Sequence, residues 1–597
     1  MDQDQHRRID RRTFLKGGLV AGGLLAAAGA AIADSAEDAG GSGPRPSLAA
    51  AGPPPPAGAR GASERPNILV IVVDQMRFPQ WLTGAPASFA LTPNIRRLSE
   101  GAVSFTRHYT ASNDCTPARA TLLTGLYTHQ TGCMITGAST LDPAFPTWGT
   151  MLREHGYHTW WYGKWHLTHH DNYWGPTWGR RELEHYGFSG GTYPSPDGAP
   201  GQGWHVDPHI GRQFADWFAA EGGAEPWCTT VSFVNPHDIA WWYAFSDRVR
   251  AESTAARLVH RLPPNYETPE LLIERNKPRL QRSLQDTAAT AFGPVPFTGP
   301  EAPRRWMAFL DLYAKLQGEV DRHVGQLLQT LQSRPEVAAN TVVLFTSDHG
   351  EYGASHGLRG KGAGVYEEGI RVPLIVKDPR GMLTGAPEVS RRQLSSSVDV
   401  AALLLTIATG SNAWRAEPRY SHLADRLDLA AILADPQAPG RPYVIHATDE
   451  AVTEFAIEPY AADAPLHVVA VRTPAAKYAT YSHWPDGTTA PLPAGQEREL
   501  YDYRTHSGRL ELHNGAGESP QQAKLEQTLE DAVRHELRRP LPAHLSAAQE
   551  RGFADYFNTA ARAAVSAAGA RRRILEHDFG KLDHTGRAPG SPSRLRL

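Results

Sequence analysis

Short runs of apolar residues alternate with amphipathic segments along most of the chain. The clearest run, Ile-Leu-Val-Ile-Val-Val at 68–73, is typical of a strand buried on both faces of a parallel sheet. Four further apolar runs predict strands at 157–162, 229–234, 341–346 and 370–376. Before the fourth strand, spacings of three and four residues predict an amphipathic helix that contains Tyr313, Leu316, Val320, Val324, Leu327 and Leu331. We therefore expect an α/β fold with helices on both faces of the sheet.

The pattern becomes less regular after about residue 410. Apolar runs at 468–472 and 477–481 predict two short strands of a small antiparallel sheet, and residues 523–538 form an amphipathic helical pattern. The last thirty residues are rich in Arg, Gly and Pro and are predicted to be a loose tail. These features predict a catalytic domain over 65–410 and a smaller C-terminal α+β domain over 411–597.

The first 64 residues have the composition of an export signal and a linker. Arg11-Arg12 begins a twin-arginine motif, and a mild Ala/Gly/Leu run over 17–33 ends in the small-residue cleavage site Ala-Ile-Ala. A membrane anchor is the alternative, but a run of about 17 residues is at the short limit for a spanning helix. We favour a cleaved signal over 1–33 and a disordered linker over 34–64. Export by the Tat translocase to the periplasm or the medium follows, with no stable membrane span.

Composition excludes several classes of protein. Of 597 residues, 60 are basic and 63 acidic, so the formal net charge is −3 and nothing indicates a nucleic-acid partner. An apolar content of 41% and a charged content of 21% are typical of a globular protein. Three cysteines are too few for a disulfide scaffold. Cys133 and Cys228 form either one disulfide or two buried thiols, and the sequence leaves both open.

Polar clusters follow four of the predicted strands. They are Asp74-Gln75, Gly163-Lys164-Trp165-His166, Asn235-Pro236-His237-Asp238 and Ser347-Asp348-His349-Gly350. Open α/β sheets bind their ligands beyond the carboxyl ends of the strands. We therefore expect the four clusters to converge on one edge of the sheet.

Two of these clusters predict a metal site. Asp74, Gln75 and Asp348 offer two carboxylates and an amide oxygen, which suit a hard divalent cation such as Ca²⁺. The imidazole of His349 moves the preference toward Mn²⁺, which is the alternative. A lone Asp after a strand is often a helix cap or turn residue, but the pairing of two clusters favours metal binding.

A nucleophile is predicted within residues 113–125, which contain the pattern Cys-x-Pro-x-Arg. Pro117 suits the first turn of a helix, so Cys115 is expected just before a helix N-terminus, where backbone N–H groups favour negative charge. Arg119 lies one helical turn further on and can face the same site. The alternative for Cys115 is a buried apolar role, which is common for free cysteines.

Cationic and imidazole side chains complete the predicted site. Lys164, Lys361 and Arg119 are candidates to neutralise an anion, and Lys361 lies in a Gly-rich segment that allows close approach to a ligand. His166 and His237 follow strands and are candidates for proton transfer near neutral pH.

Together these residues resemble the type I sulfatases, the formylglycine-dependent branch of the alkaline phosphatase superfamily. The resemblance covers most of residues 66–515. Besides the segments above, it rests on Thr92-Pro93-Asn94-Ile95, Gly101-Ala102-Val103-Ser104-Phe105, Asp348-His349-Gly350-Glu351, Arg371-Val372-Pro373-Leu374, Val471-Arg472-Thr473-Pro474 and Glu499-Leu500-Tyr501-Asp502.

The resemblance implies an alkaline phosphatase-like fold, with a large mixed, mostly parallel sheet sandwiched by helices and a smaller C-terminal α+β domain. It implies that Cys115, supported by Arg119, is oxidised to formylglycine by a formylglycine-generating enzyme. Lys164 and Lys361 would hold sulfate, while His166 and His237 would assist release of sulfate and of the leaving group. Asp74, Gln75, Asp348 and His349 would bind the metal.

The metal motif bears on which class of ester is the substrate. Asp74-Gln75 with Asp348-His349 looks more like the choline-sulfatase and phosphonate monoester hydrolase subgroup than like many arylsulfatases, which carry Asp-Asp and Asp-Asn. We expect a hydrolase of small-molecule or glycan sulfate esters, with a phosphonate monoester or phosphodiester hydrolase as the alternative.

The tryptophans support a third, non-catalytic hypothesis. The chain has 15 Trp, and a glycan- or ligand-binding protein could use them as stacking surfaces. Core packing is the simpler explanation for Trp160, Trp161, Trp165, Trp174 and Trp178. Trp241 and Trp242 closely follow His237 and are predicted to line the mouth of a substrate site.

Overall fold

The computed structural model describes residues 65–78, 91–168, 182–193, 195–224, 226–242, 258–451 and 459–574. The predicted signal and linker lie outside these residues, so both remain predictions. Within the described part of the chain, no helix combines the length and the apolar character needed to span a bilayer.

An eight-stranded sheet forms the centre of the molecule, with the strand order β4-β3-β5-β1-β6-β7-β2-β8. Its strands are β1 (Asn67–Asp74), β2 (Val103–Tyr109), β3 (His158–Gly163), β4 (Ser189–Gly190), β5 (Trp227–Pro236), β6 (Thr341–Ser347), β7 (Arg371–Lys377) and β8 (Ser395–Ser396). The five strands predicted from apolar runs are all present, within one or two residues of their expected ends.

The sheet is mixed but mostly parallel. β4, β3, β5, β1 and β6 run parallel to one another, whereas β7 is antiparallel to both β6 and β2. The apolar pattern did not predict β2, because polar side chains interrupt it on a strand that is buried only in part. The predicted fold class is confirmed.

Helices lie between the strands. They are α1 (Pro93–Ser99), α2 (Cys115–Thr124), α3 (Thr128–Thr131), α4 (Trp148–Glu154), α5 (Gln202–Glu221), α6 (Pro269–Glu274), α7 (Arg279–Phe292), α8 (Glu301–Gln332), α9 (Pro335–Ala339), α10 (Glu367–Ile370), α11 (Val400–Thr409), α12 (Leu429–Ala434), α13 (His506–Arg509), α14 (Gln522–Ala532) and α15 (Ala543–Ile574).

Both faces of the large sheet are buried. On one face, Leu69, Ile71 and Val73 of β1 share a core with Phe214 of α5 and Val320 of α8. Their neighbours along β1 point to the other face and are buried as well, so every residue of this strand is inaccessible to solvent. Burial on both faces explains the unbroken apolar run of β1. The amphipathic helix predicted over 313–331 is part of α8, and its six apolar residues are all buried.

A second, antiparallel sheet lies in the C-terminal part, with the order β12-β11-β10-β9. Its strands are β9 (Val444–Thr448), β10 (His467–Arg472), β11 (Ala476–Ser482) and β12 (Glu497–Asp502), which include the two predicted strands. The predicted helix over 523–538 is α14 followed by a π-helical turn, Val533–Leu537.

One expectation about the C-terminal part needs revision. The loose tail predicted for the last thirty residues begins too early, because α15 continues to Ile574. Phe553 and Tyr556 of this helix pack against Met134 and Ile135, which gives it a tertiary partner. The described residues all belong to one compact unit, and the boundary at residue 410 remains a prediction.

The structure shows whether the cysteines form a disulfide. Cys115, Cys133 and Cys228 are all buried and free, so the disulfide alternative for the last two is wrong. Burial raises the pKa of both Cys133 and Cys228 above the ordinary thiol value, which keeps them protonated and unreactive.

Candidate active site

The ends of four parallel strands meet at one edge of the large sheet. β3, β5, β1 and β6 are consecutive in the sheet, and they end at Gly163, Pro236, Asp74 and Ser347. The four polar clusters predicted from the sequence begin at these ends. α2 begins close to the same edge and brings Cys115 to it, because the sulfur of Cys115 lies 3.7 Å from both carboxylate oxygens of Asp74.

Cys115 lies among cations and an imidazole. Its sulfur is 2.7 Å from Nζ of Lys361, 3.6 Å from Nζ of Lys164 and 3.2 Å from Nε2 of His349. The residue is fully buried. It is the first residue of α2, rather than the residue before the helix, and Asp114 is the N-cap. The predicted placement of Cys115 at a helix N-terminus is therefore correct to within one residue.

The four predicted metal ligands lie side by side. The Oδ1 atom of Asp348 accepts backbone hydrogen bonds from Gln75 at 3.1 Å and from His349 at 2.8 Å. Nε2 of His349 is 3.6 Å from Oδ1 of Asp74 and 3.8 Å from Oδ1 of Asp348. Candidate ligand atoms of Asp74, Cys115, Asp348 and His349 all lie within 4.8 Å of one another.

This donor set fits a divalent cation. Two carboxylates and the amide oxygen of Gln75 are hard ligands, and the imidazole of His349 adds a nitrogen. Burial lowers the pKa of His349, which favours the neutral ring with a lone pair available for a metal. Nδ1 of His349 lies 2.9 Å from the carbonyl oxygen of Gly350, a contact that orients a ligand ring.

Arg119 links the two candidate metal-binding carboxylates. Its Nη2 lies 3.2 Å from Asp74 and 2.9 Å from Asp348, and its Nη1 donates to the carbonyl oxygen of Lys164 and to Oγ of Ser232. Nζ of Lys164 lies 2.6 Å from Asp74. The guanidinium of Arg119 therefore joins β1, β5 and β6 to α2 through one buried side chain.

The local charge favours an anion. The site holds three cations, Arg119, Lys164 and Lys361, and the two carboxylates of Asp74 and Asp348. Burial by itself would raise the pKa of Asp74, but Lys164, His237, Lys361 and Arg119 hold it well below its usual range. Asp74 is therefore ionised, and three cations lie around it and Cys115 before any metal is counted. Such a site attracts a negatively charged group.

The two predicted proton-transfer residues lie in loops beside the site. His237 is buried at the start of a 3₁₀ turn, His237–Trp241, and faces Gly198 so closely that a Cβ there would lie 2.5 Å from its ring. His166 adopts a positive φ of 56°, with its Nε2 facing Gly137. The amide of Gly137 donates to Oγ1 of Thr116, the residue that follows Cys115. The roles of both histidines remain predictions.

Glu351 is a site residue that the sequence reasoning did not single out. Its Oε2 accepts a 2.5 Å hydrogen bond from the side-chain amide of Gln75. Its Oε1 accepts from the backbone amides of Gly353 and Gly360 at 2.9 and 2.8 Å. Glu351 thus turns the amide oxygen of Gln75 toward Lys361, whose Nζ lies 3.2 Å from it. The only sequence signal was its position directly after Asp348-His349-Gly350.

A cavity of about 30 Å³ lies above these residues. Its wall combines polar groups of Gln75, Asp114 and Lys361 with the apolar side chains of Ile239, Phe292, Phe309 and Tyr460. Asp114 was not predicted as a site residue. Its Oδ2 accepts a 2.9 Å hydrogen bond from Thr448, so the C-terminal sheet contributes to the support of this wall.

Trp241 and Trp242 do not line this cavity, contrary to expectation. They are 3% and 1% exposed and pack behind its wall, with Trp241 edge-on to Phe292 and Trp242 against Phe309. The 3₁₀ turn after His237 directs them inward and leaves Ile239 and Ala240 at the cavity. Other tryptophans, such as Trp161 and Trp165, are also core residues. Trp174 and Trp178 lie outside the described residues.

The chain resembles known proteins both in sequence and in fold. The family model described as Sulfatase matches residues 66–411, more than half of the chain. An uncharacterised sulfatase, YidJ, of Escherichia coli (strain K12) is 30% identical over 372 residues, covering 58% of this chain and 67% of the relative. A choline-sulfatase of Rhizobium meliloti (strain 1021) is 27% identical over 363 residues, covering 53% of this chain and 63% of the relative. The chain thus spans about two thirds of the length of these relatives.

Solved structures share the fold. BT1596, a 2-O GAG sulfatase, superposes with a TM-score of 0.58 at 20% identity, covering 79% of this chain and 92% of that one. The phosphonate monoester hydrolase SpPMH from Silicibacter pomeroyi gives a TM-score of 0.55 at 19% identity, covering 81% of this chain and 97% of that one. At these identities the likeness establishes the architecture alone.

Proposed function

This chain belongs to the sulfatase family, and from that premise we propose that it hydrolyses sulfuric esters and releases inorganic sulfate. The observation that carries the proposal is the position of Cys115, whose sulfur lies beside Lys361, Lys164 and His349 at the carboxyl edge of the sheet. A nucleophile surrounded by cations suits attack on an anionic ester, because the developing negative charge is neutralised where it forms.

We propose that Cys115 acts as formylglycine. A formylglycine-generating enzyme would replace the thiol with an aldehyde, and addition of water would then give two hydroxyl groups on one carbon. This modification has a chemical reason, since attack by an unmodified thiolate on sulfate would leave a stable thiosulfate ester. A hydrated aldehyde avoids that product, because its second hydroxyl can expel the sulfate.

The reaction then has two steps. In the first, one hydroxyl of residue 115 loses its proton to solvent and attacks sulfur, and the bond from sulfur to the ester oxygen breaks while His237 gives a proton to the departing alcohol. In the second, the other hydroxyl loses its proton with the help of His166, the aldehyde forms again, and sulfate leaves. Water then adds to the aldehyde to restore the two hydroxyl groups and His237 takes up a proton from solvent, so the net change consumes one water molecule. Both histidines suit proton transfer near neutral pH.

Charged side chains hold the sulfuryl group during these steps. Lys164 and Lys361 contact the position of the nucleophile from two sides, and Arg119 keeps the carboxylates of Asp74 and Asp348 in place. Asp74, Gln75, Asp348 and His349 would hold a divalent cation, which would supply Lewis-acid polarisation of a sulfuryl oxygen. We propose Ca²⁺, with Mn²⁺ as the alternative because His349 is one of the ligands.

A phosphonate monoester or phosphodiester hydrolase is the second candidate. Gln75 and His349 favour this second candidate, because their positions in the metal motif resemble those of the choline-sulfatase and phosphonate monoester hydrolase subgroup. The fold agrees with both candidates, since structures of both kinds superpose on this chain.

Relative turnover of three esters distinguishes the candidates. The probes are p-nitrophenyl sulfate, p-nitrophenyl phenylphosphonate and bis(p-nitrophenyl) phosphate, tested on one preparation whose residue 115 has been shown to be converted. We expect the highest kcat/KM for the sulfate ester and loss of turnover in Cys115→Ala. Preference for the phosphorus esters would establish the second candidate instead. Absence of turnover with all three would favour the non-catalytic ligand-binding hypothesis.

The site of action is part of the proposal. We propose export by the Tat translocase, with a small-molecule or glycan sulfate ester met in the periplasm or the medium. The motif that supports this is Arg11-Arg12 followed by the mild apolar run over 17–33. Replacement of both arginines by lysine should keep the full-length protein in the cytoplasm, as judged by fractionation. Unchanged export would rule out this route.

A further inference from the structure

A second and much larger cavity lies apart from the one above Cys115. Its volume is about 610 Å³, within the range of small-molecule binding sites. Strands β2 and β7 contribute to its wall, together with residues near β10, β12 and α13. No residue is shared between the described linings of the two cavities. Six arginines contribute to the wall of the larger one: Arg77, Arg107, Arg371, Arg392, Arg472 and Arg509.

The acidic residues of this cavity are already bound to buried partners. Only two line its described wall, Glu367 and Glu368. Glu367 accepts a hydrogen bond from Tyr109 at 2.8 Å and pairs with Arg472 at 3.2 Å and Lys477 at 3.3 Å. Although burial would raise the pKa of Glu367, Arg472 and Lys477 hold it below the ordinary range. Its charge is therefore balanced within the protein.

Three arginines of the wall have no carboxylate partner of this kind among the described residues. Within the described part of the chain, no carboxylate lies within ion-pair distance of Arg107, Arg392 or Arg509. Arg509 donates only to the carbonyl oxygens of Tyr503 and Arg504, both at 3.2 Å. Burial, and after it the positive charge of Arg472, lowers the pKa of Arg107, while the charge of Glu367 acts in the opposite direction.

The wall is also stiff. Pro263, Pro264 and Pro474 contribute to it, and Arg371 stacks on Phe78 with its guanidinium 4.3 Å from the ring centroid. Proline fixes the backbone, and a stacked guanidinium loses less freedom when it binds a ligand. Guanidinium groups match the geometry of sulfate and phosphate, which accept paired hydrogen bonds.

We propose that this cavity binds a small ligand carrying several sulfate or phosphate groups. The volume excludes a polymer as the whole occupant but admits a substituted ring. The three arginines without a carboxylate at ion-pair distance, Arg107, Arg392 and Arg509, suit a ligand with more than one anionic group. The proposal is independent of the reaction at Cys115, because a ligand can occupy this cavity whether or not the protein turns over an ester.

Calorimetric titration of the full-length protein tests the proposal. Cys115→Ala serves as the background so that no sulfate ester is consumed. The probes are sucrose octasulfate and inositol hexakisphosphate, with inorganic sulfate as the single-anion comparison. We expect saturable binding of one of the two polyanions at one site, with at least about 10-fold weaker binding of inorganic sulfate and lower affinity at higher salt. Whichever polyanion binds more tightly identifies the preferred anion.

Variants localise the binding. Arg107→Gln, Arg392→Gln and Arg509→Gln together should weaken it by at least about 10-fold. A matched triple of exposed arginines elsewhere, Arg96→Gln, Arg304→Gln and Arg322→Gln, removes the same charge and should leave the affinity within about 2-fold. If the first triple fails to fold, the pair Arg392→Gln and Arg509→Gln, both exposed, replaces it. Equal weakening by both sets, or no saturable binding of either polyanion, would overturn the proposal.

Discussion

Nζ of Lys361 lies 2.7 Å from the sulfur of Cys115 and 3.2 Å from the amide oxygen of Gln75. One side chain therefore contacts both the proposed nucleophile and a proposed metal ligand. The amide of Gly360, the residue before Lys361, donates to Glu351. The loop that carries the ammonium group is thus fixed by the same carboxylate that orients Gln75.

The first prediction concerns this ammonium group. Lys361→Met keeps the length of the side chain but removes the charge, so kcat should fall by about 10²–10³-fold, as when one stabilising donor is removed from a transition state. Steady-state kinetics with the preferred ester measure the effect. Lys377→Met, whose Nζ instead donates to the carbonyl oxygen of Glu100, is the matched control. A fall of less than about 3-fold would show that Lys361 does not act on the reacting group.

The second prediction concerns the covalent state of Cys115. In protein from the native host, the peptide that contains it should be lighter than the unmodified peptide by about 18 Da, since conversion of thiol to aldehyde loses sulfur and two hydrogens and gains one oxygen. Peptide mass spectrometry measures this directly. The peptides that contain Cys133 and Cys228 should keep their unmodified masses. An intact thiol at Cys115 in active native protein would contradict the mechanism.

The third prediction concerns Glu351 as a positioning residue. Glu351→Gln keeps the shape but replaces an acceptor oxygen with an NH₂ group, which cannot accept from Gln75 or from the two glycine amides. Metal affinity and kcat/KM should both fall by about 10–100-fold, as is typical for groups that orient metal ligands. Titration with Ca²⁺ gives the affinity independently of turnover. Exposed Glu336→Gln is the control, and unchanged metal affinity in Glu351→Gln would argue for a purely structural role.

The fourth prediction concerns removal of the metal. Chelation should abolish ester hydrolysis, and Ca²⁺ should restore it more fully than Mn²⁺. Readdition should also raise the unfolding midpoint, because a ligand that binds only the folded state adds about 2.7 kcal/mol at a free concentration of 100 Kd. Elemental analysis before and after chelation verifies the metal content. Full activity in protein shown to be metal-free would refute the assignment of the four ligands.

The fifth prediction concerns the pH dependence of stability. Burial lowers the pKa of His108, His422 and His446 to about 4 in the folded protein. In the unfolded chain these groups titrate near their ordinary value of about 6.5. The unfolded state therefore binds more protons between about pH 4 and pH 6.5, and stability falls as the pH is lowered through this window.

A single variant tests this linkage. Between pH 7 and pH 5, His108→Gln should lose less stability than the parent, by roughly 2 kcal/mol. Urea unfolding at both pH values gives the difference. His185→Gln, at an exposed position, should leave the difference unchanged. An equal loss in His108→Gln and the parent would show that His108 does not titrate as its burial implies.

The central strands were predictable because burial on both faces leaves a continuous apolar run, as in β1 and β6. The meeting of the polar residues that follow these strands was also predictable, because parallel neighbouring strands end at the same edge of the sheet. β2 was not predictable in this way. Its sequence, Val-Ser-Phe-Thr-Arg-His-Tyr, mixes polar and apolar groups, and the strand pairs antiparallel with β7.

The supporting residues of the site were harder to predict. The role of Glu351 depends on a hydrogen bond that its carboxylate accepts from the backbone amide of Gly360. No spacing in the sequence predicts that contact. Trp241 and Trp242 were instead wrongly predicted to line the cavity, because they lie close to His237 along the chain. The 3₁₀ turn places both rings in the core instead, and the direction of a short turn depends on tertiary packing.

The complete burial of Cys115 sets an order of events in the life of this protein. With none of its surface accessible in the folded chain, a separate enzyme cannot reach the thiol after folding. If Cys115 is converted as proposed, oxidation has to precede closure of the site, while the segment 113–125 is still extended. An exporter that accepts only folded cargo would then receive a protein whose covalent maturation is already finished, so the compartment of synthesis, rather than the destination, determines whether the enzyme is competent.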